Sequence, residues 1–350
     1  MNIIYARMPG YEWISVPSDA VARELKNLGH NIIIVEQIYD VPVGNYDFVW
    51  SPYESVTLLG DAISRKLKIP HASHIEVLPP WRIFENIDYK NYGLTKDDPE
   101  LTDIKNTRPY YLKVGKAWYN ADISTLSSKT RIQMHEFLGD MSKIQLRYPS
   151  IDTYTINKIK QLYKPERIQN RVLTVSRATF IKRYDLLVNV MNKINTDMEW
   201  AIVGAGPALE MIKQKLINPK VKLLILGPMF GWQRYLEMMK SSYFLYAMGG
   251  MPPLEAALLG SFPCGIEQEP TQHIPDFDKF LEDNFGDSIP LFKYNESEKA
   301  AEFMDFCFKQ TPDELLNKWD TVNKFWTGKT NVRPAKENAQ QIIDRFCKLA

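Results

Sequence analysis

The sequence predicts an α/β protein made of two consecutive units, each with a parallel sheet covered by helices. Short apolar runs alternate with amphipathic segments through both halves of the chain, an order typical of parallel sheets covered on both faces. The length of 350 residues also exceeds what one hydrophobic core usually supports, which is about 250–300 residues. Apolar residues make up 45% and charged residues 24% of the chain, the balance of an ordinary globular protein.

The first half opens with an apolar run from Asn2 to Ala6, a predicted strand that a loop containing proline and glycine follows. Residues 78–109 have no clear period and hold several prolines and aromatic residues, which indicates a long insertion or loop region. The remaining pattern of this half predicts strands at 31–35, 47–50, 70–73 and 121–126, and helices at 18–28, 58–67 and 128–137.

The second half repeats the alternation after a linker near residues 148–164. Its pattern predicts strands at 171–175, 199–203, 221–226 and 243–246, and helices at 184–194, 208–216, 232–241 and 254–259. An amphipathic helix closes the chain. We therefore predict a first Rossmann-like domain at residues 1–152, a second at 153–334 and a C-terminal helix at 335–350.

Charge and cysteine content narrow the class of protein. The net charge of +1 argues against a dedicated nucleic-acid binder, which usually carries a basic excess. Three distant cysteines, Cys264, Cys307 and Cys347, fit neither a zinc-ligand spacing nor a disulfide framework. The N-terminus begins directly with a strand, and no run approaches the ~18 apolar residues that a spanning helix needs. We expect a cytoplasmic protein, with peripheral contact to a membrane left open.

Several polar residues follow predicted strands of the second half, where parallel sheets bind their ligands. Arg177 and Lys182 follow the strand at 171–175, and together they suit a concentrated negative charge such as a diphosphate. The next strand ends in the glycine-rich turn that begins at Gly204. Glycines there let backbone N–H groups approach phosphate oxygens.

A second glycine turn follows the strand at 243–246. Gly249 and Gly250 precede a helix that carries Glu255 in its first turn. A carboxylate repels phosphate, whereas it suits the sugar hydroxyls of a nucleotide. No G-x-G-x-x-G follows the first strand, which weighs against a dinucleotide-dependent dehydrogenase.

These segments resemble family 4 retaining GT-B glycosyltransferases. The run Ser176-Arg177 with Lys182 and Tyr184-Asp185-Leu186-Leu187 resembles the family's G-R-x-x-x-x-K-G-x-D-L-L. The other matching segments are Ile202-Val203-Gly204-Ala205-Gly206-Pro207 (I-V-G-x-G-P), Gly249 to Pro263 (E-G-F-G-L-P-x-L-E-A-M-A-x-G-x-P), Ala121-Asp122 with Ser127, and Pro149-Ser150-Ile151-Asp152.

The resemblance implies a GT-B fold, with two Rossmann-like domains facing each other across a cleft and the C-terminal helix returning to the first. It also implies transfer of a hexosyl group, with retention, from a nucleotide-diphosphate sugar to a hydroxyl acceptor. The nucleotide sugar is a co-substrate, and we expect no other cofactor and no metal. A lipid-linked or polysaccharide acceptor is the leading expectation from the resemblance, and modified DNA is a minor one.

The resemblance also assigns roles to matching positions. Arg177 and Lys182 would hold the diphosphate, and Glu255 would bind the ribose hydroxyls. Gly249 and Gly250 would shape the pocket for the donor sugar and phosphates, beside the turn at Gly204.

Two residues of the first half complete the expected site. Gly10 would approach the phosphates from the other domain. His74 would be the acceptor-domain histidine near the transferred sugar, and we count it with Arg177 and Lys182 as a catalytic candidate.

One departure from the family pattern keeps two other functions open. The family places an acid eight residues before Glu255, where this chain has Ala247. A catalytically silent glycan-binding or partner subunit would explain that replacement. A nucleotide-sugar epimerase on the same architecture is the other alternative.

A basic and aromatic stretch at residues 101–119 bears on the acceptor. It mixes four cations with four aromatic side chains: Lys105, Arg108, Lys113, Lys116, Tyr110, Tyr111, Trp118 and Tyr119. Such a surface suits a membrane headgroup layer, a glycan or a nucleic acid. A solvated helix face with a packed aromatic side explains the same pattern, so the sequence leaves the choice open.

Overall fold

The computed structural model describes residues 1–7, 12–75, 104–126, 138–147, 149–247, 251–267 and 285–348. The described residues form two compact units. Unit 1 comprises those up to Asp152 together with those from Arg333 onwards. Unit 2 comprises those from Thr153 to Val332.

Each unit contains one parallel sheet of six strands. The strands of unit 1 are β1 (Asn2–Ala6), β2 (Asn31–Val35), β3 (Phe48–Ser51), β4 (His71–Ile75), β5 (Ile123–Leu126) and β6 (Gln145–Leu146), followed by the short β7 (Ser150–Ile151). Those of unit 2 are β8 (Ile168–Val175), β9 (Met198–Val203), β10 (Val221–Gly227), β11 (Ser241–Ala247), β12 (Phe262–Ile266) and β13 (Leu291–Phe292). A last strand, β14 (Arg333–Pro334), pairs with β7 in unit 1.

Most of the described helices alternate with these strands, and three consecutive helices precede β14. In chain order they are α1 (Glu12–Asn27), α2 (Thr57–Leu67), α3 (Ile104–Tyr119), α4 (Thr153–Leu162), α5 (Tyr184–Met191), α6 (Ala208–Lys215), α7 (Trp232–Lys240), α8 (Pro252–Leu258), α9 (Ser297–Cys307), α10 (Pro312–Trp319), α11 (Thr321–Trp326) and α12 (Ala335–Phe346). The α/β class and the two Rossmann-like units predicted from the sequence are confirmed.

The C-terminal helix α12 belongs to the core of unit 1. Its apolar side, which includes Ala339, Ile342 and Phe346, packs with Ile3 of β1. The Phe346 ring stacks on Phe48 of β3 with centroids 3.4 Å apart. The return of the last helix to the first unit, which the resemblance implied, is therefore confirmed.

The two sheets differ in strand order. Unit 1 has the order β2-β1-β3-β4-β5-β6, and unit 2 has the order β10-β9-β8-β11-β12-β13. Unit 2 thus follows the 3-2-1-4-5-6 order of dinucleotide-binding folds, whereas unit 1 begins in the flavodoxin-like order. The order reverses between β8 and β11 in unit 2, and between β1 and β3 in unit 1. Crevices at such reversals are where open α/β sheets bind their ligands.

Some elements differ from the sequence prediction. Helix α1 begins at Glu12, earlier than predicted, and contains Pro17. A proline inside a helix removes one backbone hydrogen bond and usually indicates a helix end, whereas this helix continues through Pro17. Helix α3 includes Pro109 within a region predicted as a loop, and α4 lies in the predicted linker. The helix predicted at residues 128–137 lies outside the described residues.

Candidate functional site

The two predicted cations of unit 2 lie on the loop that leaves β8 at the reversal in strand order. Arg177 is exposed two residues beyond the strand. Lys182 ends a short 3-10 turn that begins at Phe180. Backbone hydrogen bonds tighten this loop, because Thr179 N donates to Arg177 O (2.9 Å) and Lys182 N donates to Thr179 O (3.0 Å). A short, hydrogen-bonded loop therefore presents both cations.

The glycine turn after β9 packs against the loop that carries Arg177 and Lys182. A Cβ at Gly204 would overlap the carbonyl oxygen of Ser176, and one at Gly206 would overlap that of Ala178. Ala178 N donates to Ala205 O (2.9 Å), and Ala208 N donates to Ala178 O (2.8 Å). These glycines therefore allow the backbone of the turn after β9 to contact the backbone of the loop that carries Arg177. The binding role predicted for Gly204 stays a prediction.

Glu255 lies in the seven-residue helix α8 and is buried. Its Oε1 accepts hydrogen bonds from Arg234 Nη2 (2.6 Å) and from Tyr235 Oη (2.9 Å). Its Oε2 is also buried, and no group within the described residues bonds to it. A carboxylate oxygen offers two lone-pair positions, and a buried one without a partner is costly. Oε2 is thus an acceptor that suits a hydroxyl from outside the protein.

Tyr246, on β11, is a buried phenol whose pKa responds to two of the predicted residues. Burial raises the pKa of this phenol, and the negative charge of Glu255 raises it further. The positive charges of Arg177 and Arg234 act on the same group in the opposite direction. Arg177 and Glu255, which are far apart in sequence, therefore both lie close enough to Tyr246 for their charges to shift its pKa.

Ala247 occupies a different environment from these residues. It is the last residue of β11, pairs in register with Ile266, and is buried in the apolar core of unit 2. The position where the family pattern has an acid is thus part of the packed sheet in this chain. The hydrophobic surroundings explain why a small apolar side chain is accommodated there.

The other predicted site residues fall into two groups. His74 lies in unit 1 at the carboxyl end of β4, is buried, and has Nδ1 2.9 Å from Thr125 Oγ1. Gly10, Gly249 and Gly250 lie outside the described residues. The roles that the resemblance gives to these four residues stay predictions.

The basic and aromatic stretch is a helix with a packed aromatic side. Trp118 of α3 is fully buried, and its Nε1 donates to Thr125 O (3.1 Å). Tyr111 and Tyr119 pack against the same cluster, whereas Tyr110 is 42% exposed. Lys113 and Lys116 are also exposed. Most of the aromatic surface therefore belongs to the core of unit 1.

Three residues of the site had no signal in the sequence. Arg234 and Tyr235 lie in an amphipathic helix, and Tyr246 lies in an apolar strand, so each fits the pattern of its element. Only the tertiary contact between α7 and α8 joins Arg234 to Glu255, 21 residues along the chain.

Metal ligands and membrane spans can be assessed over the described part of the chain. Its residues contain no group of three or more His, Cys, Asp or Glu placed to hold a metal ion. None of its helices has the length and apolar character needed to cross a membrane.

The fold defines a class: two Rossmann-like units, each with a six-stranded parallel sheet, which is the GT-B architecture. No protein-family model matches the sequence, and a search of curated proteins finds no significant match. Solved structures match over nearly the whole chain.

Three solved structures illustrate this similarity. HepE of Anabaena in complex with UDP has a TM-score of 0.62 at 13% identity, covering 99% of this chain and 100% of its own. An alpha-glucosyltransferase in complex with UDP and a 13-mer DNA containing a HMU base has a TM-score of 0.64 at 14% identity, with 99% of both chains covered. Sucrose-phosphate synthase from Thermosynechococcus elongatus has a TM-score of 0.68 at 11% identity, covering 100% of this chain and 99% of its own. At these identities the comparison shows the shared fold.

Proposed function

We propose that this chain is a glycosyltransferase that moves a hexosyl group from a nucleoside-diphosphate sugar to a hydroxyl acceptor, with retention, as in family 4. The observation that carries the proposal is the buried Oε2 of Glu255, which no described residue bonds, at the reversal in strand order of unit 2. The charges of Arg177 and Glu255 both shift the pKa of the Tyr246 phenol, so a cation suited to phosphate and an acceptor suited to a sugar hydroxyl both lie within electrostatic range of that side chain. A nucleoside diphosphate carries both a diphosphate for the cation and ribose hydroxyls for the carboxylate.

In this proposal each group has one task. Arg177 and Lys182 neutralise the diphosphate as it departs, which is electrostatic stabilisation by preorganised charges. Glu255 accepts a ribose hydroxyl, and the turns at Gly204 and at Gly249 and Gly250 shape the pocket. These two cations supply the positive charge that a metal ion would otherwise bring, so we propose that the transfer needs no metal. We also propose that it takes place in the cytoplasm. We assign Gly10 to contact with the phosphates and His74 to the acceptor side of the transferred sugar.

A binding screen tests the nucleotide part of the proposal. The wild-type chain is heated with UDP-, GDP-, ADP- and TDP-sugars, and the melting temperature is recorded. A ligand at about 100 times its Kd adds roughly 2.7 kcal/mol of stability, which such a screen detects easily. No shift with any of the four sugars would contradict a nucleotide-sugar site.

The double variant Arg177→Ala/Lys182→Ala tests the site itself. We expect it to keep the fold and to lose transfer, because the departing diphosphate then has neither cation. A control with the same change of charge is Lys213→Ala/Lys222→Ala, since both lysines are at least half exposed and pair with Glu210 of α6 and Glu199 of β9 in unit 2. Undiminished transfer by the first double variant would sink the assignment.

The acceptor is the open half of the proposal. We propose a glycan or a lipid-linked glycan at the membrane surface, with hydroxymethylated DNA as the second arm of the test. The DNA arm follows from the alpha-glucosyltransferase named above, whose complex contains DNA with a HMU base. Incorporation of labelled sugar into lipid extracts, soluble glycans or modified DNA distinguishes the three acceptors.

Ala247 favours a second candidate, a GT-B protein that binds a nucleotide sugar without transferring it. The side chain lies in the apolar core of unit 2, so this strand presents no acid toward a sugar. Nucleotide-sugar binding without turnover on any acceptor would support this candidate. Conversion of the donor alone, seen by NMR, would instead support an epimerase.

A further inference from the structure

Arg234, in the first turn of α7, has no role in the proposed function so far. Its Nη2 donates to Oε1 of Glu255 (2.6 Å) and to Tyr235 Oη (3.1 Å). Its guanidinium carbon lies 4.8 Å from the centre of the Tyr235 ring. Tyr235 is itself buried and donates to the same Oε1 (2.9 Å). Arg234 and Tyr235 therefore both donate hydrogen bonds to the same oxygen of Glu255.

This arrangement treats the two oxygens of Glu255 differently. Arginine often binds a carboxylate through both oxygens with two parallel hydrogen bonds. Here the ion pair reaches Oε1, while the buried Oε2 has no partner among the described residues. The Glu255 side chain is 5% exposed and that of Arg234 is 21% exposed, so the cation lies on the outer side of the pair. A carboxylate held at one oxygen from the outside keeps a fixed orientation.

We infer that Arg234 is a positioning residue: by holding Oε1 it fixes Glu255 so that Oε2 is reserved for a ribose hydroxyl of the nucleotide. This inference rests on the proposed function, and it concerns how the site selects its nucleotide. A fixed, buried acceptor distinguishes ligands that have the hydroxyl from ligands that lack it, since a missing donor leaves Oε2 buried and unpaired. A mobile carboxylate turns toward water instead and loses that selectivity.

A different role for Arg234 leads to different expectations. Arg177 and Arg234 both act on Tyr246, so Arg234 lies near the cation that we assign to the diphosphate. If Arg234 contacted the phosphates directly, its removal would weaken a nucleoside diphosphate relative to the monophosphate. If it positions Glu255, its removal weakens the selection of the ribose and leaves the selection of the diphosphate intact.

The experiment measures Kd by calorimetry for UDP, 2′-deoxy-UDP, 3′-deoxy-UDP and UMP, or for the guanine series if the wild-type chain binds GDP better. We expect the wild type to bind UDP about tenfold more tightly than the poorer deoxy analogue, the effect of one buried group left unpaired. In Arg234→Ala this ratio falls toward one, while the UDP-to-UMP ratio keeps its wild-type value. Arg234→Lys, which keeps the charge and one donor, restores part of the ribose selectivity.

Two further variants separate positioning from a general loss of stability. In a Glu255→Gln background, Arg234→Ala should leave the ribose ratio unchanged, because the residue through which it acts has already been altered. Lys240→Ala removes another ion pair of α7, the one with Glu237 at the far end of the helix (2.7 Å), and should leave both ratios as in the wild type.

The outcomes are distinct. Full ribose selectivity in Arg234→Ala overturns the inference, and so does a loss of UDP-to-UMP selectivity with the ribose ratio unchanged. The same loss of ribose selectivity in Lys240→Ala also overturns it, because any weakened α7 would then suffice. A wild-type chain that binds none of these nucleotides overturns the proposed function, and the inference falls with it.

Discussion

The two units repeat an architecture and carry different chemistry at the carboxyl ends of their strands. In unit 1, the described ends of β4 and β5 bring an imidazole and a hydroxyl together, His74 and Thr125. In unit 2, a buried carboxylate, Glu255, accepts from both the cation Arg234 and the phenol Tyr235 at one oxygen, and its other oxygen has no partner among the described residues. A six-stranded parallel sheet is common to both, so the fold alone did not decide which polar groups lie at the strand ends.

The units also differ in how the chain builds them. The described part of unit 2 follows one stretch of the chain, whereas unit 1 takes its last helix, α12, from the far end. The salt bridge between Arg23 of α1 and Asp152, and the pairing of β14 with β7, lie near the points where the chain leaves and re-enters unit 1. The stability of unit 1 therefore depends on contacts between opposite ends of the sequence, such as the one between Phe48 and Phe346.

The largest expected effect tests this dependence of unit 1 on α12. Phe346→Ala removes a buried ring that stacks on Phe48, and such core truncations cost roughly 3 to 5 kcal/mol. We expect urea unfolding to show an early transition that leaves the proposed nucleotide binding by unit 2 intact. The exposed aromatic Trp326, 48% accessible, provides the control variant Trp326→Ala. Equal losses in the two variants would mean that α12 is not part of the core.

The next effect concerns unit 2. Gly204→Ala places a Cβ against the carbonyl of Ser176 at a positive φ of 159°, and the combined strain and overlap should cost about 3 kcal/mol. Nucleotide binding should weaken too, because the loop with Arg177 rests on this turn. Gly227→Ala is the matched control: it also has a positive φ, of 75°, but no atom within 4 Å of the new Cβ. The comparison fails if both variants lose the same stability.

The third effect is absent at neutral pH, appears only in acid, and concerns unit 1. Burial lowers the pKa of His71 to about 4, and Ser51 Oγ lies 2.9 Å from its Nε2. The folded state therefore favours neutral imidazole, whereas the unfolded chain takes up a proton near pH 6.5. Stability is complete above pH 6.5 and falls as the pH drops toward 4, by about 3 kcal/mol.

His71→Gln checks this pH dependence. Its side-chain amide can replace Nε2 in the contact with Ser51, and it does not titrate. Urea unfolding of unit 1 at pH 7, 5.5 and 4 should show a smaller acid loss in this variant than in the wild type. An identical acid loss in both proteins would assign the effect to other groups.

The alternation of strands and helices was readable because apolar runs and amphipathic segments have different periods. Helix α2 was predicted at 58–67 and is observed at Thr57–Leu67, and β9 was predicted at 199–203 and is observed at Met198–Val203. The pattern failed where a proline interrupts a helix, as in α1 and α3. It also failed in the linker, where α4 buries only Ile156 and Ile159 along its length.

The return of the last helix was implied by the family resemblance, whereas the sequence by itself determined the two α/β units and the positions of Arg177, Lys182 and Glu255 after strands of unit 2. These follow from local periods and from the position of a residue after a strand, which a linear pattern contains. Only the tertiary structure decided that Arg234 and Tyr235 hold one oxygen of Glu255, and that Ala247 lies in an apolar core. Those facts depend on packing between α7, α8 and β11. Residues that packing brings together have no regular spacing in the sequence, so no sequence pattern reveals their contact.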